Sequence, residues 1–382
     1  MGFYFSNQEE KPMKKQALFG VIAAAVASSG MSVYAADDIE LTVVSWGGAY
    51  TKSQQNAYHE PYMKKNPHVT IINDDSSNEA IPKLRAQNEA GNITWDLVDV
   101  VPADAIRACD EGIAIEIDHD KVLATAPDGT VPTKDFGEAL VSPCFIPTIV
   151  YSTTFGFRTD VAAWGGKKPT SIKDVFDTKN FPGKRSLEKR PVNNMEWALL
   201  ADGVPADKVY DVLSTPEGVD RAFAKLDEIK DDVIWWSTGA DTPDRLAKQE
   251  IVMGSTYNGR LFALIEEEKQ PVEMMWDWQI FELDGWIVPA GLSPEREKAV
   301  LDYLYFGTDT QRLADQAKWI SYGPARQSSA PLVDKHAELG IEMAPHMPTD
   351  PDNAKTTLYN NIEWWADHRD ELDQRFQAWL DS

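Results

Sequence analysis

The chain is poor in the residues and spacings that carry most enzyme and metal chemistry. Among its 382 residues are only two cysteines, Cys109 and Cys144. They do not form a Cys-x-x-Cys pair, so a dithiol redox centre or a zinc ribbon is excluded. The six histidines (His59, His68, His119, His336, His346 and His368) are scattered. None lies in a His-Glu-x-x-His or other metal spacing. Asp350-Pro351-Asp352-Asn353 lacks the glycine and the distal glutamate of a calcium loop. There is no Walker loop, no G-x-G-x-x-G and no G-x-S-x-G elbow. No catalytic residue, metal or cofactor is therefore expected, and the chain reads as a binding protein and not as an enzyme. An exported hydrolase is the remote alternative. Positive charge is also scarce: 37 lysines and arginines face 61 aspartates and glutamates, for a net charge of −24. That excludes nucleic acid and anionic membrane surfaces as partners, because both need basic patches. No repeat or low-complexity run is present. Beyond the N-terminus no run is long and apolar enough to span a bilayer.

The N-terminus reads as a targeting segment. Met13-Lys14-Lys15 is a short basic start, Ala17 to Met31 is mostly apolar, and Val33-Tyr34-Ala35 ends in small residues. This is the pattern of a secretory signal peptide. Cleavage is expected after Ala35, and residues 1–12 read as an over-extended start. The mature protein is expected to be soluble and exported. In an oxidising compartment the two cysteines read either as a disulfide or as two buried thiols.

The body alternates strands and helices. Glu40 to Trp46 predicts a strand ended by Gly47-Gly48, with a helix over 49–65. His68 to Asn73 and Trp95 to Val101 predict two more strands, with a helix over 80–89 between them. Strand, helix, strand, helix, strand is the start of a parallel α/β sheet. Ligands of such sheets sit outside the carboxyl ends of the strands. That singles out Trp46-Gly47, Asp74 to Ser77 and Val101 to Ala103. Thr148 to Phe157 predicts a long strand passing between domains. A second α/β unit follows, with strands over 183–187, 233–236 and 251–256. Its ends present Asn193-Asn194, Trp236-Ser237-Thr238 and Tyr257-Asn258-Gly259. Helices are expected over 295–305, 310–320 and 356–380.

Trp276 to Pro289 (W-D-W-Q-I-F-E-L-D-G-W-I-V-P) is apolar enough for a buried strand, yet Glu282 and Asp284 interrupt it. A buried carboxylate is costly without a partner. Together with V-V-S-W-G-G-A-Y, S-S-N-E-A-I-P-K-L, W-D-L-V-D-V-V-P, G-S-T-Y-N-G and S-Y-G-P-A, this stretch is similar to the periplasmic substrate-binding proteins of ABC importers, and among them to the putrescine/spermidine-binding group. The resemblance spans residues 38–382. It implies an α/β fold of two lobes, of type II, that closes on its ligand like a trap. Lobe 1 would be 36–146 plus 284–326 and lobe 2 would be 150–280 plus 330–382. It also implies a monomer in the periplasm that delivers a small amine to a permease in the inner membrane. Carried over residue by residue, Trp46, Tyr257 and Tyr322 match aromatic walls and Asp284 matches the carboxylate that holds an ammonium. Such a box suits an alkylammonium through cation–π contacts and a charged hydrogen bond.

Three departures bear on the ligand. The segment 188–194 is basic and amide-bearing where polyamine binders are acidic. Arg260 stands where they tend to have an aspartate, and Glu282 where the family often has a tryptophan. The expected ligand residues are thus Trp46, Gly47, Ser77, Asn193, Trp236, Tyr257, Arg260, Glu282, Asp284 and Tyr322. The first reading is a polyamine. The alternative is a zwitterionic or anionic amine such as an amino acid, γ-aminobutyrate or an aminophosphonate, motivated by Lys189, Arg190, Asn193 and Arg260. These three basic residues are equally readable as solvated surface charges, and Glu282 as the partner of Arg190 or Arg260.

Overall fold

The computed structural model describes residues 38–382. The expected signal peptide and its cleavage site at Ala35 lie outside the described residues. Ten strands form one sheet: β1 (Ile39–Val44), β2 (Val69–Asp74), β3 (Leu97–Val100), β4 (Ile146–Arg158), β5 (Arg185–Glu188), β6 (Val233–Trp236), β7 (Met253–Tyr257), β8 (Val272–Ile287), β9 (Gly323–Pro324) and β10 (Thr357–Tyr359). The main order is β2-β1-β3-β8-β4-β7-β5-β6, with β9 on β4 and β10 on β8.

At one end β1 lies parallel between β2 and β3, and at the other β5 lies parallel between β6 and β7. β1, β2 and β3 are rich in valine, isoleucine and leucine, as buried parallel strands are, whereas β5 (R-S-L-E) and β7 (M-G-S-T-Y) are more mixed. Two long antiparallel strands, β4 and β8, join the ends. Their register runs from Ile146 opposite Trp286 to Arg158 opposite Val272, with shifts at Pro147/Ile149 and Thr153/Phe155. Pro147 cannot donate to the ladder, which accounts for the first shift. β3 docks on the last residues of β8, and β7 on the second half of β4.

The apolar cores are separate. Leu41, Tyr58, Trp286 and Tyr303 belong to one on the β1 side, and Val98, Val100 and Phe145 to a second there. Phe155, Trp197, Leu226 and Phe376 belong to a large one on the β5 side. Cys109 and Cys144 form a disulfide, with Cα atoms 5.7 Å apart, resolving the two readings of that pair. No helix among the described residues is long and apolar enough to cross a membrane.

Three expectations are corrected. The strand expected over Trp276 to Pro289 begins earlier, at Val272, and ends at Ile287, because Val272, Met274 and Met275 also find partners on β4. The helix expected over 310–320 ends at Gln316. The helix expected over 356–380 is a short strand and a helix. Thr357–Tyr359 pairs with Gln279 to Phe281, and the helix Ile362–Asp381 starts where the Asn361 side chain accepts from the Trp364 N–H at 3.0 Å. That N-cap stops helix propagation towards Tyr359.

Gly285 is the tightest point where β8 passes β4. A β-carbon there would lie 2.2 Å from the Ile146 carbonyl oxygen and 2.7 Å from Pro147 Cα, both backbone atoms that cannot step aside. We expect Gly285→Ala to destabilise the protein by roughly 2–4 kcal/mol through this overpacking. Chemical denaturation checks it, and a loss below about 0.5 kcal/mol, the scale of an ordinary surface substitution, would show that the crossing is not tight.

Candidate functional site

The carboxyl ends of six parallel strands converge on one cavity of about 400 Å³. β1 leads to Trp46, Gly47 and Gly48; β2 to Ser77 and Asn78; β3 to Val101 and Asp104. From the other end of the sheet, β5 leads to Glu188 and Arg190, β6 to Ser237 through Ala240, and β7 to Tyr257 and Arg260. Ile149, Tyr151 and Asp284 of the long strands form its floor, and Tyr322 and Arg369 complete it. This is the position that parallel α/β sheets use for ligands.

Aromatic rings run through the wall in sequence. Tyr50 packs on Tyr322 at 6.0 Å between centroids, Tyr322 on Tyr151 at 5.8 Å, Tyr151 on Tyr257 at 5.4 Å, and Tyr257 on Trp236 at 5.9 Å. Gly47 and Gly48 both take positive φ, at 77° and 58°, which a residue with a side chain rarely adopts. Thr51 holds this turn, since its hydroxyl accepts from the Gly47 N–H at 2.9 Å and donates to Asp75 at 2.8 Å. Asn258 ties three segments together. Its carbonyl accepts from the Ser152 N–H at 3.0 Å and its amide donates to the Ser321 carbonyl at 2.5 Å.

At the acidic end Asp284 lines the cavity, and the fully buried Asp99 lies behind it. Asp99 pairs across the ladder with Trp286, and Asp284 lies two residues before Trp286, so both project from the same face. The Tyr50 hydroxyl donates to Asp99 Oδ1 at 3.2 Å and lies 3.5 Å from Asp284 Oδ1. Gln54 donates to the other Asp99 oxygen at 2.8 Å. Both carboxyls are buried, at 0% and 4% exposure, and neither forms an ion pair among the described residues. Burial raises Asp99 to about 7, against the hydrogen bonds from Gln54 and Tyr50. Burial raises Asp284 well above the usual carboxylate range, and the neighbouring Asp99 charge raises it further. Two carboxyls this close cannot both ionise cheaply.

The basic end is different. Arg190 Nε lies 2.6 Å from Glu188 Oε2, so this arginine is already paired. Arg260 is not. Its Nε is buried without a hydrogen-bond partner, and its only hydrogen bond among the described residues is a long one, 3.5 Å, from Nη2 to the Gly47 carbonyl.

The cavity brings together Trp46, Gly47, Ser77, Tyr257, Arg260, Asp284 and Tyr322, seven of the sequence-predicted residues. The other three lie elsewhere. Trp236 is 1% exposed and packs behind Tyr257. Asn193 sits at positive φ before the helix Asn194–Ala201, and its side chain is buried without lining the cavity. Glu282 accepts from the Thr153 hydroxyl at 2.6 Å and lines a neighbouring cavity of about 470 Å³, without an ion pair among the described residues. The expectation that Arg190 or Arg260 answers Glu282 is corrected: Glu188, two residues before Arg190 on the chain, takes that role. Lys189 is exposed, as a solvated surface charge would be. Tyr50, Asp99, Glu188 and Arg369 were missed. Asp99 in D-L-V-D-V-V and Tyr50 in W-G-G-A-Y both lay inside singled-out motifs, but only the fold shows that they meet.

A cleft at converging strand ends, floored by two long strands that join the ends of the sheet, matches the architecture of periplasmic binding protein structures. Residues 57–349 match the family model described as bacterial extracellular solute-binding protein. The chain is 33% identical over 373 residues to the gamma-aminobutyric acid-binding protein of Pseudomonas aeruginosa, covering 98% of each. It belongs to the bacterial extracellular solute-binding protein family. Among solved structures, it matches a GABA receptor at 33% identity and a TM-score of 0.74, covering 89% of this chain and 97% of that one. It matches the binding protein MotA of A. tumefaciens B6, in complex with glucopine, at 27% identity and a TM-score of 0.77, covering 89% and 99%. The spermidine/putrescine-binding protein PotD of Streptococcus pneumoniae shares the fold at 12% identity and a TM-score of 0.66, covering 89% and 99%. The expected family is thus supported at the level of ABC-importer solute binding, and its polyamine branch is not.

The raised carboxyls make a stability prediction. An acid whose folded pKa exceeds its unfolded value stabilises the fold below about pH 4, where both states hold the proton, and that contribution is lost as pH rises through about 7. The ligand-free protein should therefore lose a few kcal/mol between pH 5 and pH 8 relative to Asp284→Asn. Parallel melting curves test this, and curves that fall together with pH would remove the effect.

Proposed function

We propose that this protein is the periplasmic solute-binding component of an ABC importer and takes a small amine that also carries a carboxylate, with γ-aminobutyrate as the leading candidate. Residues 36–146 with 284–326, and 150–280 with 330–382, would act as two lobes hinged on β4 and β8. Binding then favours the closed arrangement that a membrane permease recognises. In this reading the ammonium meets Asp284 under Trp46 and Tyr322, where cation–π contacts of about 0.5–2 kcal/mol add to a charged hydrogen bond. The carboxylate meets Arg260.

The observation that carries the reading is the half-buried Arg260 side chain, whose buried Nε has no partner among the described residues, lining the same cavity as Asp284. A buried donor with no acceptor is a standing cost that an incoming carboxylate removes. A polyamine would place a second cation towards that arginine, which Coulomb repulsion opposes. The relatives' names agree with this choice, because a GABA-binding protein and a GABA receptor share a third of the sequence.

Thermal melting with γ-aminobutyrate, putrescine, spermidine, aminoethylphosphonate and common amino acids separates the readings. A ligand at ~100 times its Kd stabilises by ~2.7 kcal/mol. We expect the shift with ligands that carry both charges. Arg260→Ala should weaken these by about 10- to 100-fold, the loss of a charged hydrogen bond. A melt shifted by diamines alone would overturn this assignment in favour of a polyamine.

A further inference from the structure

The buried acid pair has a consequence for how an amine enters, resting on the reading that the ammonium binds at Asp284. We infer that Asp99 and Asp284 act as one acid site that a cationic amine enters in exchange for a proton, so that each binding event releases about one proton to solvent.

The geometry carries this. Asp99 and Asp284 project from one face of β3 and β8, with the Tyr50 hydroxyl 3.2 Å from one and 3.5 Å from the other. One hydroxyl thus reaches both carboxyls, which places them side by side. A hydrogen bond between two carboxyl groups needs a proton, since two carboxylates have no donor between them. No guanidinium or ammonium of the described residues pairs with either. The other groups facing the pair are Trp46 and Trp286, which only donate, and the hydroxyls of Tyr50, Tyr58, Tyr151, Tyr303 and Tyr322. All five tyrosines are held protonated by burial. Arg260 and Asp284 both lie near Tyr322, and no ion pair joins the two among the described residues. His59, which faces Tyr303 and Asn73, is kept neutral by burial, at about 3.

The charge balance is then simple. Without ligand, two carboxyls and one proton carry one negative charge. With ligand, two carboxylates and one ammonium carry the same charge. The amine keeps its proton, one carboxyl O–H bond breaks, and that proton leaves to buffer. The buried site thus avoids a double negative charge in either state, which a lone carboxylate would not require. Asp99 is a positioning residue in this scheme: it acts on the ligand through Asp284.

Burial holds the pair protonated up to neutral pH, so the coupling falls in the range where a periplasm operates. Calorimetry of the whole mature protein with γ-aminobutyrate, in two buffers of different ionisation enthalpy, counts the protons directly. Near pH 7.5 we expect about one proton released per ligand, rising at lower pH where Asp99 also holds a proton, and a Kd that tightens as pH rises, by up to about tenfold per pH unit for each proton released. Asp99→Asn should still bind but should show a smaller release and a shallower slope between pH 6 and pH 8, because it removes the Asp99 proton and the neighbouring charge that adds to burial in raising Asp284. If that variant does not fold, the wild-type proton count decides alone. Binding with no proton exchange and a flat Kd from pH 5.5 to 8.5 would overturn the inference, as would an Asp99→Asn variant that releases as many protons as wild type. Absence of γ-aminobutyrate binding at every pH would instead sink the assignment of the ligand; the same count on whichever amine shifts the melt then tests the proton exchange separately.

Discussion

Asp99 and Asp284 are buried side by side on the face of the sheet where its two ends meet, with a tyrosine hydroxyl between them and no cation of the described residues in contact. Much of the surrounding structure exists to place them. β8 must be long enough to reach from β7's side of the sheet to β3, Gly285 must lack a side chain for β8 to pass Ile146, and Trp286 must fill the core behind Asp99. Desolvated acids of like charge are costly. A fold that keeps such a pair without an internal cation leaves a strong driving force for an external one.

The other end of the cavity shows the complementary logic. Two arginines line it, and they are not equivalent. Arg190 is neutralised by Glu188 at 2.6 Å, so it contributes structure and little net field. Arg260 is left with an unpartnered Nε beside the Gly47-Gly48 turn, close enough that a β-carbon on Gly48 would lie 2.7 Å from its Nη1. The turn glycines, the arginine and the aromatic row thus share one small volume. An acid pair without a cation at one end and an arginine without an ion-pair partner at the other, both among the described residues, are the features on which the proposed dipolar ligand rests.

Most of the α/β pattern was legible in the sequence, because short apolar strands alternating with amphipathic helices leave a clear period. β4 was placed to within two residues, since its β-branched and aromatic run has no helical reading. The terminal segment was not, because Thr357–Tyr359 gains its strand character from pairing with β8 and not from its own composition. In the site, residues at strand ends were legible: Trp46, Gly47, Ser77, Tyr257 and Arg260 all follow a parallel strand and all line the cavity. Asp284 was found from its cost in an apolar run. Asp99 escaped because it sits inside a strand 185 positions before Asp284, and no local signal links the two. Glu282 was misplaced for a related reason. Period-2 alternation put it correctly on the face of Asp284, but Thr153 on the neighbouring strand draws its carboxylate aside.

The central claim is that one cavity holds an ammonium at Asp284 and a carboxylate at Arg260. A crystal structure of the protein with bound γ-aminobutyrate tests it most directly. The account predicts the ligand nitrogen within hydrogen-bonding distance of Asp284 and both carboxylate oxygens turned to the Arg260 guanidinium. A ligand bound in the reverse sense, or held away from Arg260 altogether, would contradict it.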